Sequence, residues 1–335
     1  MKKHTALLLV ASFLWAGCSS KQYFEPKESH PVKSQATYAE TIVSLGASGA
    51  TLDNGHYIGE KGISPFTLGK GYRFLNESKK YVLASNIDGK LKIMQKKTGT
   101  LQKELDFKLP VIAASEHRGF IAYILNNNTF GVYDMQKNKK CIEEHSGETF
   151  AINTKAANPL FIDNLVMMPM LDGKLILFDI KNPTQKKTIY LSSEKVLNNV
   201  ISLSRIGSTL MVATPKKLLT LGVKSEKGYK ANIADVIPAS KSVYVVTKEG
   251  SIVHLTMDLK PLKEQKFEYA SFVASTMTKH QICLLDTQGS LIVLSKNLEK
   301  FKIYHVGEIA SPVWMKNGKL YKDNKIIDLT TLSYE

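Results

Sequence analysis

The sequence predicts an all-β fold, a single β-propeller whose short strands are grouped into four-stranded blades. Beyond residue 40, short apolar runs alternate with turn residues, and scarcely any segment has a helical period. One strand–turn–strand phrase recurs along this part of the chain. Its copies are spaced at intervals near 40 residues or twice that length, and a period of about 40 residues is that of one propeller blade.

The recurring phrase is a polar residue followed by glycine, with β-forming residues on both sides, which indicates a β-hairpin. Its four clear copies turn at Asp88-Gly89, Asp172-Gly173, Glu249-Gly250 and Gln288-Gly289. Successive glycines are 84, 77 and 39 residues apart, so the first two intervals each have room for one more hairpin. Degenerate hairpins occur at the required places, around residues 126–134 and 214–221.

Two weaker hairpins, around residues 56–63 and 319–328, bring the total to eight. We therefore predict eight blades, with seven blades and an N-terminal appendage as the alternative. The chain stops at Glu335 without an outer strand for the last blade. Because an open ring would leave an unpaired sheet edge, we expect residues 41–45 to pair there and join the N-terminal and C-terminal segments.

The N-terminus resembles a bacterial lipoprotein signal. Lys2 and Lys3 precede an apolar run over residues 6–15, and the segment Leu-Trp-Ala-Gly-Cys ends at Cys18. Trp15 departs from the leucine usual at its position. We predict a signal peptide over residues 1–17, lipid (palmitate) attachment at Cys18, a polar, proline-broken flexible tether over 18–40 and the propeller over 41–335. Since Ser19 rather than aspartate follows the cysteine, the resemblance implies the cell outer membrane, facing the periplasm.

The formal net charge of +15 does not indicate nucleic-acid binding in such a location. Only Arg73, Arg118 and Arg205 are arginines among 45 basic residues. Lysine is a hydrated point charge, whereas arginine is preferred for bidentate contacts with phosphates and bases. The lysines are therefore expected to keep strand edges and turns solvated.

No pattern in the sequence indicates catalysis. The histidines lack metal-ligand spacing, and no nucleophile elbow or phosphate loop is present. Cys141 and Cys283 are 142 residues apart, on opposite sides of the predicted ring, so we expect two buried free thiols. We predict that the protein is not an enzyme and has no cofactor, metal or small-molecule substrate.

The segment Tyr81 to Leu91, followed by Lys97-Thr98-Gly99, resembles the repeat of quinoprotein-type (PQQ-like) propellers. Together with the lipoprotein signal, it makes the chain similar to the BamB family of propeller lipoproteins of the outer-membrane β-barrel assembly machinery. Trp314 is the one tryptophan after the predicted cleavage point, so the docking tryptophans of such repeats are otherwise absent.

This resemblance implies a non-catalytic scaffold that assists the assembly of outer-membrane β-barrel proteins. Its partner would be a barrel-assembly subunit or another envelope protein, bound through loops or an exposed strand edge. Candidate contacts are the inter-blade loops 146–156 and 192–199. The alternatives are a quinoprotein-type enzyme with a site in the central channel, and a peptidoglycan- or envelope-associated adaptor whose basic surface binds anionic glycans or lipids.

Overall fold

The computed structural model describes residues 22–149, 155–192, 194, 196–222 and 226–335. The predicted signal peptide and Cys18 lie outside these residues, so both remain predictions. The described chain consists of β-strands with one 3₁₀ turn, Leu329–Thr331. No helix in this part of the chain has the length and apolarity needed to cross a membrane.

The strands form eight sheets arranged as consecutive blades. Two short strands come first, β1 (His30–Pro31) and β2 (Ala36–Thr37). Blade 1 contains β3 (Ile42–Leu45), β4 (Ala50–Leu52), β5 (Tyr57–Gly59) and β6 (Gly62–Ile63). Blade 2 contains β7 (Arg73–Glu77), β8 (Tyr81–Ser85), β9 (Lys90–Gln95) and β10 (Leu101–Asp106). Blade 3 contains β11 (Val111–His117), β12 (Phe120–Leu125), β13 (Thr129–Asp134) and β14 (Lys139–His145).

The remaining blades follow the same order. Blade 4 contains β15 (Leu160–Ile162), β16 (Leu165–Pro169), β17 (Lys174–Asp179) and β18 (Asn182–Tyr190). Blade 5 contains β19 (Ser202–Ile206), β20 (Thr209–Thr214), β21 (Lys217–Leu221) and β22 (Glu226–Lys230). Blade 6 contains β23 (Ile233–Pro238), β24 (Ser242–Thr247), β25 (Ser251–Thr256) and β26 (Pro261–Lys266). Blade 7 contains β27 (Phe272–Met277), β28 (Gln281–Asp286), β29 (Ser290–Ser295) and β30 (Phe301–His305). Blade 8 contains β31 (Trp314–Lys316), β32 (Lys319–Lys322) and β33 (Lys325–Asp328).

Each blade is an antiparallel meander, and the prediction of an eight-bladed propeller is confirmed. The middle strands are buried on both faces because every sheet packs between two others. All six residues of β29 (SLIVLS), for example, are buried. The buried apolar residues of the described chain form eight clusters, one at each junction between neighbouring blades, including the junction of blades 8 and 1.

The ring closes by pairing of an N-terminal with a C-terminal strand, as predicted, but another N-terminal segment supplies the strand. Residues 41–45 were expected to pair with the last blade, but β3 is instead the innermost strand of blade 1 and pairs with β4. The outer strand of blade 8 is β2, which pairs antiparallel with β33 (Ala36 with Ile326, Thr37 with Lys325). The predicted closing strand, β3, follows the observed one, β2, along the chain. Blade 1 uses β3 as its own innermost strand, so β3 is not free to close blade 8.

The described part of the predicted tether, residues 22–40, lies against the ring. β1 pairs parallel with β30 and β2 with β33, so this segment follows the outer edges of blades 7 and 8. The ring of Phe24 contacts that of Phe267 at 5.9 Å in an edge-on arrangement. The described part of the predicted tether therefore contacts blades 6, 7 and 8 through Phe24, β1 and β2.

The meander gives the propeller two distinct faces. Turns between the first and second strands of a blade, and between its third and fourth strands, lie on one face, which we term the turn face. Hairpins between the second and third strands lie on the opposite face together with the connections between blades, and we term this the loop face. Both candidate loops, 146–156 and 192–199, belong to connections on the loop face, on either side of blade 4.

Candidate interaction site on the loop face

The four glycines of the recurring phrase lie in hairpins between second and third strands. Their φ angles are +88° at Gly89, +77° at Gly173, +83° at Gly250 and +82° at Gly289, a region that side-chain-bearing residues rarely adopt. Each glycine carbonyl accepts a hydrogen bond from the first residue of the next inter-blade connection, at 2.9–3.0 Å: Phe107, Leu191, Phe267 and Val306. The Asp-Gly and related dipeptides therefore hold the connections on the loop face in place.

The preceding polar residues of these hairpins differ in what they do. Asp172 is mostly buried and binds neighbouring groups, whereas Asp88 and Glu249 are exposed. Gln288 donates its backbone N–H to Asp286 at 2.7 Å. Among the four copies, the Asp172-Gly173 hairpin is consequently the one whose acidic residue is mostly buried and bonded to neighbouring segments.

Asp172 connects its hairpin to the first candidate loop. Its Oδ2 accepts a hydrogen bond from Ser146 Oγ at 3.1 Å and lies 2.6 Å from Lys174 Nζ. Lys174 Nζ also donates to the Ser146 carbonyl at 3.1 Å. Asn128, in the hairpin of blade 3, adds a bond from its side-chain amide to the Gly147 carbonyl at 3.0 Å. The start of loop 146–156 is thus fixed from both blades that it joins.

The second candidate loop is fixed by Asn198. Its side-chain amide nitrogen lies 2.9 Å from the Glu194 carbonyl oxygen, 3.2 Å from that of Asp172 and 3.4 Å from that of Ser192. It also occupies the space beside Gly173, where a Cβ would lie only 2.3 Å from the amide nitrogen. One blade-4 hairpin therefore anchors both loops.

The second loop exposes apolar side chains above this anchor. Val196 is 51% exposed, Leu197 is 47% exposed and Tyr190, at the end of β18, is 70% exposed. Leu197 has φ +50°, a strained conformation for a leucine. We term Tyr190, Val196 and Leu197 the apolar knob. Exposed apolar groups on a fixed backbone are typical of protein–protein contacts.

The continuation of the first loop crosses the central channel. Asn158 donates to Ser48 Oγ of blade 1 at 2.9 Å and accepts a bond from the Ala114 N–H of blade 3 at 3.3 Å. Lys155 Nζ donates to the Ala234 carbonyl of blade 6 at 3.1 Å and lies 3.6 Å from Asp235. Residues 155–158, the channel segment, therefore bridge opposite sides of the ring.

Cys141, Cys283 and His145 lie within strands of the blades. Cys283 is buried in β28, and burial raises the pKa of its thiol to about 12. Cys141, in β14 of the opposite blade, is only half-buried, contrary to the expectation, and this partial burial still raises the pKa of its thiol. His145 is exposed at the end of β14. The described residues contain no group of three or more histidine, cysteine or acidic side chains placed to hold a metal ion.

Two features of the site were not predicted from the sequence: the channel segment and the meeting of both loops at one hairpin. Asn158, Asn198 and Asn199 carry these contacts, and single asparagines in loops have no distinctive sequence pattern. The buried state of Asn198 and Asn199 appears only once the blades are assembled.

Fold and site together define an eight-bladed, BamB-like β-propeller with a structured loop face. BamB from Moraxella catarrhalis superimposes with a TM-score of 0.68 at 14% sequence identity, covering 87% of this chain and 98% of that protein. No family model matches the sequence. The plasminogen-binding protein PgbB from two strains of Helicobacter pylori is 27% and 28% identical to this chain over 370 and 373 aligned positions. Each alignment covers 96% of this chain and 68% of PgbB.

Proposed function

We propose that this protein is a non-catalytic scaffold, anchored in the outer membrane through a lipid on Cys18, whose loop face binds a subunit of the β-barrel assembly machinery. The observation that carries the proposal is the apolar knob beside the second loop, which Asn198 fixes to the blade-4 hairpin. A binding surface held rigid before the partner arrives loses little conformational entropy on association. The BamB-like fold supports the choice of partner.

The channel segment supports a role without catalysis. In a quinoprotein-type enzyme, the central channel would hold the cofactor and its ligands. Here Lys155, Ala157 and Asn158 bond to inner strands or adjoining residues of several blades and occupy that position. A cofactor-dependent reaction in the channel would require this segment to leave.

The test of the partner surface uses Leu197→Gly. Glycine accepts φ +50° without strain, so this variant removes the apolar side chain and leaves the fold intact. A matched control is Leu45→Ser, which removes an equally exposed leucine (47%) from β3. Immunoprecipitation of the tagged chain should recover the barrel-assembly subunit with the wild type and the control, and at least tenfold less of it with Leu197→Gly.

The cellular test is a deletion strain. Loss of a barrel-assembly scaffold should lower the levels of many outer-membrane porins together, and Leu197→Gly should restore them less well than the wild-type gene. Recovery of no barrel-assembly subunit, or unchanged porin levels, would show that the proposed partner is wrong. Membrane fractionation of Cys18→Ser tests the anchor, because the unacylated chain should move to the soluble periplasmic fraction.

A second candidate function is plasminogen binding. It is favoured by the similarity to PgbB, which extends over 96% of this chain at about twice the identity found with BamB. Binding of immobilised plasminogen to the purified chain, measured by biolayer interferometry, tests it directly. Saturable binding with unaffected porin levels in the deletion strain would favour this function over the first.

A further inference from the structure

The charges of the protein are divided between its two faces. Among the described residues, the turns of the turn face hold thirteen basic side chains and four acidic ones. The basic residues are Lys61, Lys79, Lys80, Lys96, Lys97, Arg118, Lys137, Lys181, Lys241, Lys260, Lys279, Lys296 and Lys300. The acidic residues are Glu60, Asp163, Asp258 and Glu299. The balance of these turns is thirteen minus four, or nine positive charges.

The loop face has the opposite sign. Its described hairpins and connections hold ten acidic side chains: Glu40, Asp53, Asp88, Glu148, Asp172, Glu194, Glu249, Glu268, Glu308 and Asp323. They hold five basic ones: Lys70, Lys108, Lys155, Lys216 and Lys248. The balance of these hairpins and connections is five minus ten, or five negative charges. The excess of basic residues is therefore concentrated in the turns of the turn face.

Most lysines of the turn face are exposed without a carboxylate partner. Eight exposed lysines of this face make no ion pair with another described residue: Lys61, Lys79, Lys80, Lys97, Lys181, Lys241, Lys260 and Lys279. They come from blades 1, 2, 4, 6 and 7, so they are distributed around the ring. Such an arrangement presents positive charge over a broad disc.

Exposed apolar side chains accompany these lysines at the same end of the strands. Leu101, Leu262 and Phe301, each within the first two residues of an outer strand, are 54%, 57% and 44% exposed. They follow turns that contain Lys97, Lys260 and Lys300. Leu165, at the start of β16, is 37% exposed on this face as well. Lysines next to exposed leucine and phenylalanine are the composition of surfaces that lie in a membrane interface.

We propose that the turn face binds the surface of an anionic phospholipid bilayer. The lysines would lie over the lipid phosphates, and Leu101, Leu262 and Phe301 would enter the headgroup region. A planar bilayer can meet lysines on five blades at once, whereas a linear polyanion can meet only those along its path. Lysine suits this role because attraction to a charged surface needs no bidentate geometry.

This binding would direct the loop face away from the membrane. The apolar knob would then be presented to the periplasm, where a partner protein is accessible. The inference does not rest on the proposed partner, because the two faces use different residues. Failure of one test therefore leaves the other intact.

The experiment measures flotation of the full chain with vesicles. Cys18→Ser is present throughout, so that acylation does not cause the binding. Vesicles of phosphatidylcholine alone are compared with vesicles that also contain phosphatidylglycerol. We expect binding only to the anionic vesicles, and release at high salt because the Debye length shortens.

Two variants with three charge reversals each show which face of the propeller binds the vesicles. Lys79→Glu, Lys181→Glu and Lys260→Glu change three blades of the turn face. Lys70→Glu, Lys216→Glu and Lys248→Glu are the control on the loop face. Each lysine near an anionic surface contributes about 1 kcal/mol, so the first variant should lose about 100-fold in vesicle binding. The control should stay within about threefold of the wild type. Equal losses in both variants would overturn the proposal.

A third variant distinguishes a bilayer from any polyanion. Leu101→Ser, Leu262→Ser and Phe301→Ser remove the apolar side chains and keep every charge. This variant should bind vesicles at least tenfold more weakly and bind dextran sulfate as the wild type does. Unchanged vesicle binding by this variant would show that these side chains do not insert into the bilayer. If the wild type bound dextran sulfate but no vesicles, the lipid surface would not be the ligand.

Discussion

The two faces of the propeller are built from turns of different kinds. On the loop face, hairpin glycines lie beneath the next connection, and a Cβ at Gly289 would lie 2.0 Å from the Gly307 carbonyl oxygen. On the turn face, a Cβ at Gly119 or Gly207 would meet no atom within 4 Å. The loop-face glycines are thus packed against connections between blades, whereas the turns at Gly119 and Gly207 lie in open solvent.

This difference explains how the charges became segregated. A turn without neighbours tolerates almost any polar side chain, so lysines accumulate there at little cost in stability. A turn that must fit below a connection keeps glycine and short polar residues, which is why the recurring phrase marks the loop face. The sequence repeat therefore reports packing on the loop face, and it constrains the residues of the turn face less.

The largest effect is expected from Gly289→Ala. The φ angle of +82° and the overlap with the Gly307 backbone should together lower the free energy of unfolding by about 4 kcal/mol. Gly119→Ala is the control, because its φ of +88° is similar but the space around it is open, so it should cost only about 1 kcal/mol. Urea denaturation measures both. Equal losses would show that the loop face is not sealed by these glycines.

A smaller effect is expected from Asn198→Ala. The side chain is buried and lies near three carbonyl oxygens, so its removal should cost about 2 kcal/mol and loosen loop 192–199. Limited proteolysis should cut this loop faster than in the wild type. Asn297→Ala, on the turn face, removes an exposed amide bonded to Glu299 and should change stability by less than about 1 kcal/mol. Loop cleavage at the wild-type rate would contradict the anchoring role of Asn198.

The sequence predicts best the part of the structure that is marked by the packed hairpin glycines of the loop face. The hairpin glycines recur at fixed spacing, so the eight-bladed ring could be predicted from them and from the degenerate copies between them. The closing strand could not, because Ala36 and Thr37 form a two-residue strand in a polar segment and pair through backbone atoms. The candidate loops could be located by their length, but their common anchor depends on Asn198 and Asp172, which are 26 positions apart.

A pH-dependent effect is expected on the loop face at Asp323. Burial raises the pKa of this carboxyl group, but hydrogen bonds from Lys322 and Ser311 outweigh burial and hold the pKa below its usual value. A depressed pKa means that the contribution to stability is present above the pKa of the unfolded chain, about 3.9, and is lost as the pH falls through the folded value. Asp323→Asn should therefore cost about 1 kcal/mol at neutral pH, since the carboxyl group is partly exposed and screened.

The difference between Asp323→Asn and the wild type should disappear in acid. Urea denaturation at neutral pH and at successively lower values measures it. Asp88→Asn, in the equivalent hairpin of blade 2, is a suitable control because Asp88 makes no ion pair with a described residue. A difference that persists below the folded pKa would show that Asp323 acts through its shape and not through its charge.

The smallest effect concerns the charges themselves. With a net charge of +15, each added positive charge on the turn face is repelled by the rest of the molecule. Lys79→Gln with Lys241→Gln should therefore raise the free energy of unfolding by about 0.5 kcal/mol at low salt. Glu148→Gln with Glu308→Gln, on the loop face, should lower it by a similar amount because it removes attraction. Both effects should vanish at high salt, where exposed charges are screened. If both pairs changed stability in the same direction, net repulsion would not be the cause, and the segregated charge would matter only for what the turn face binds.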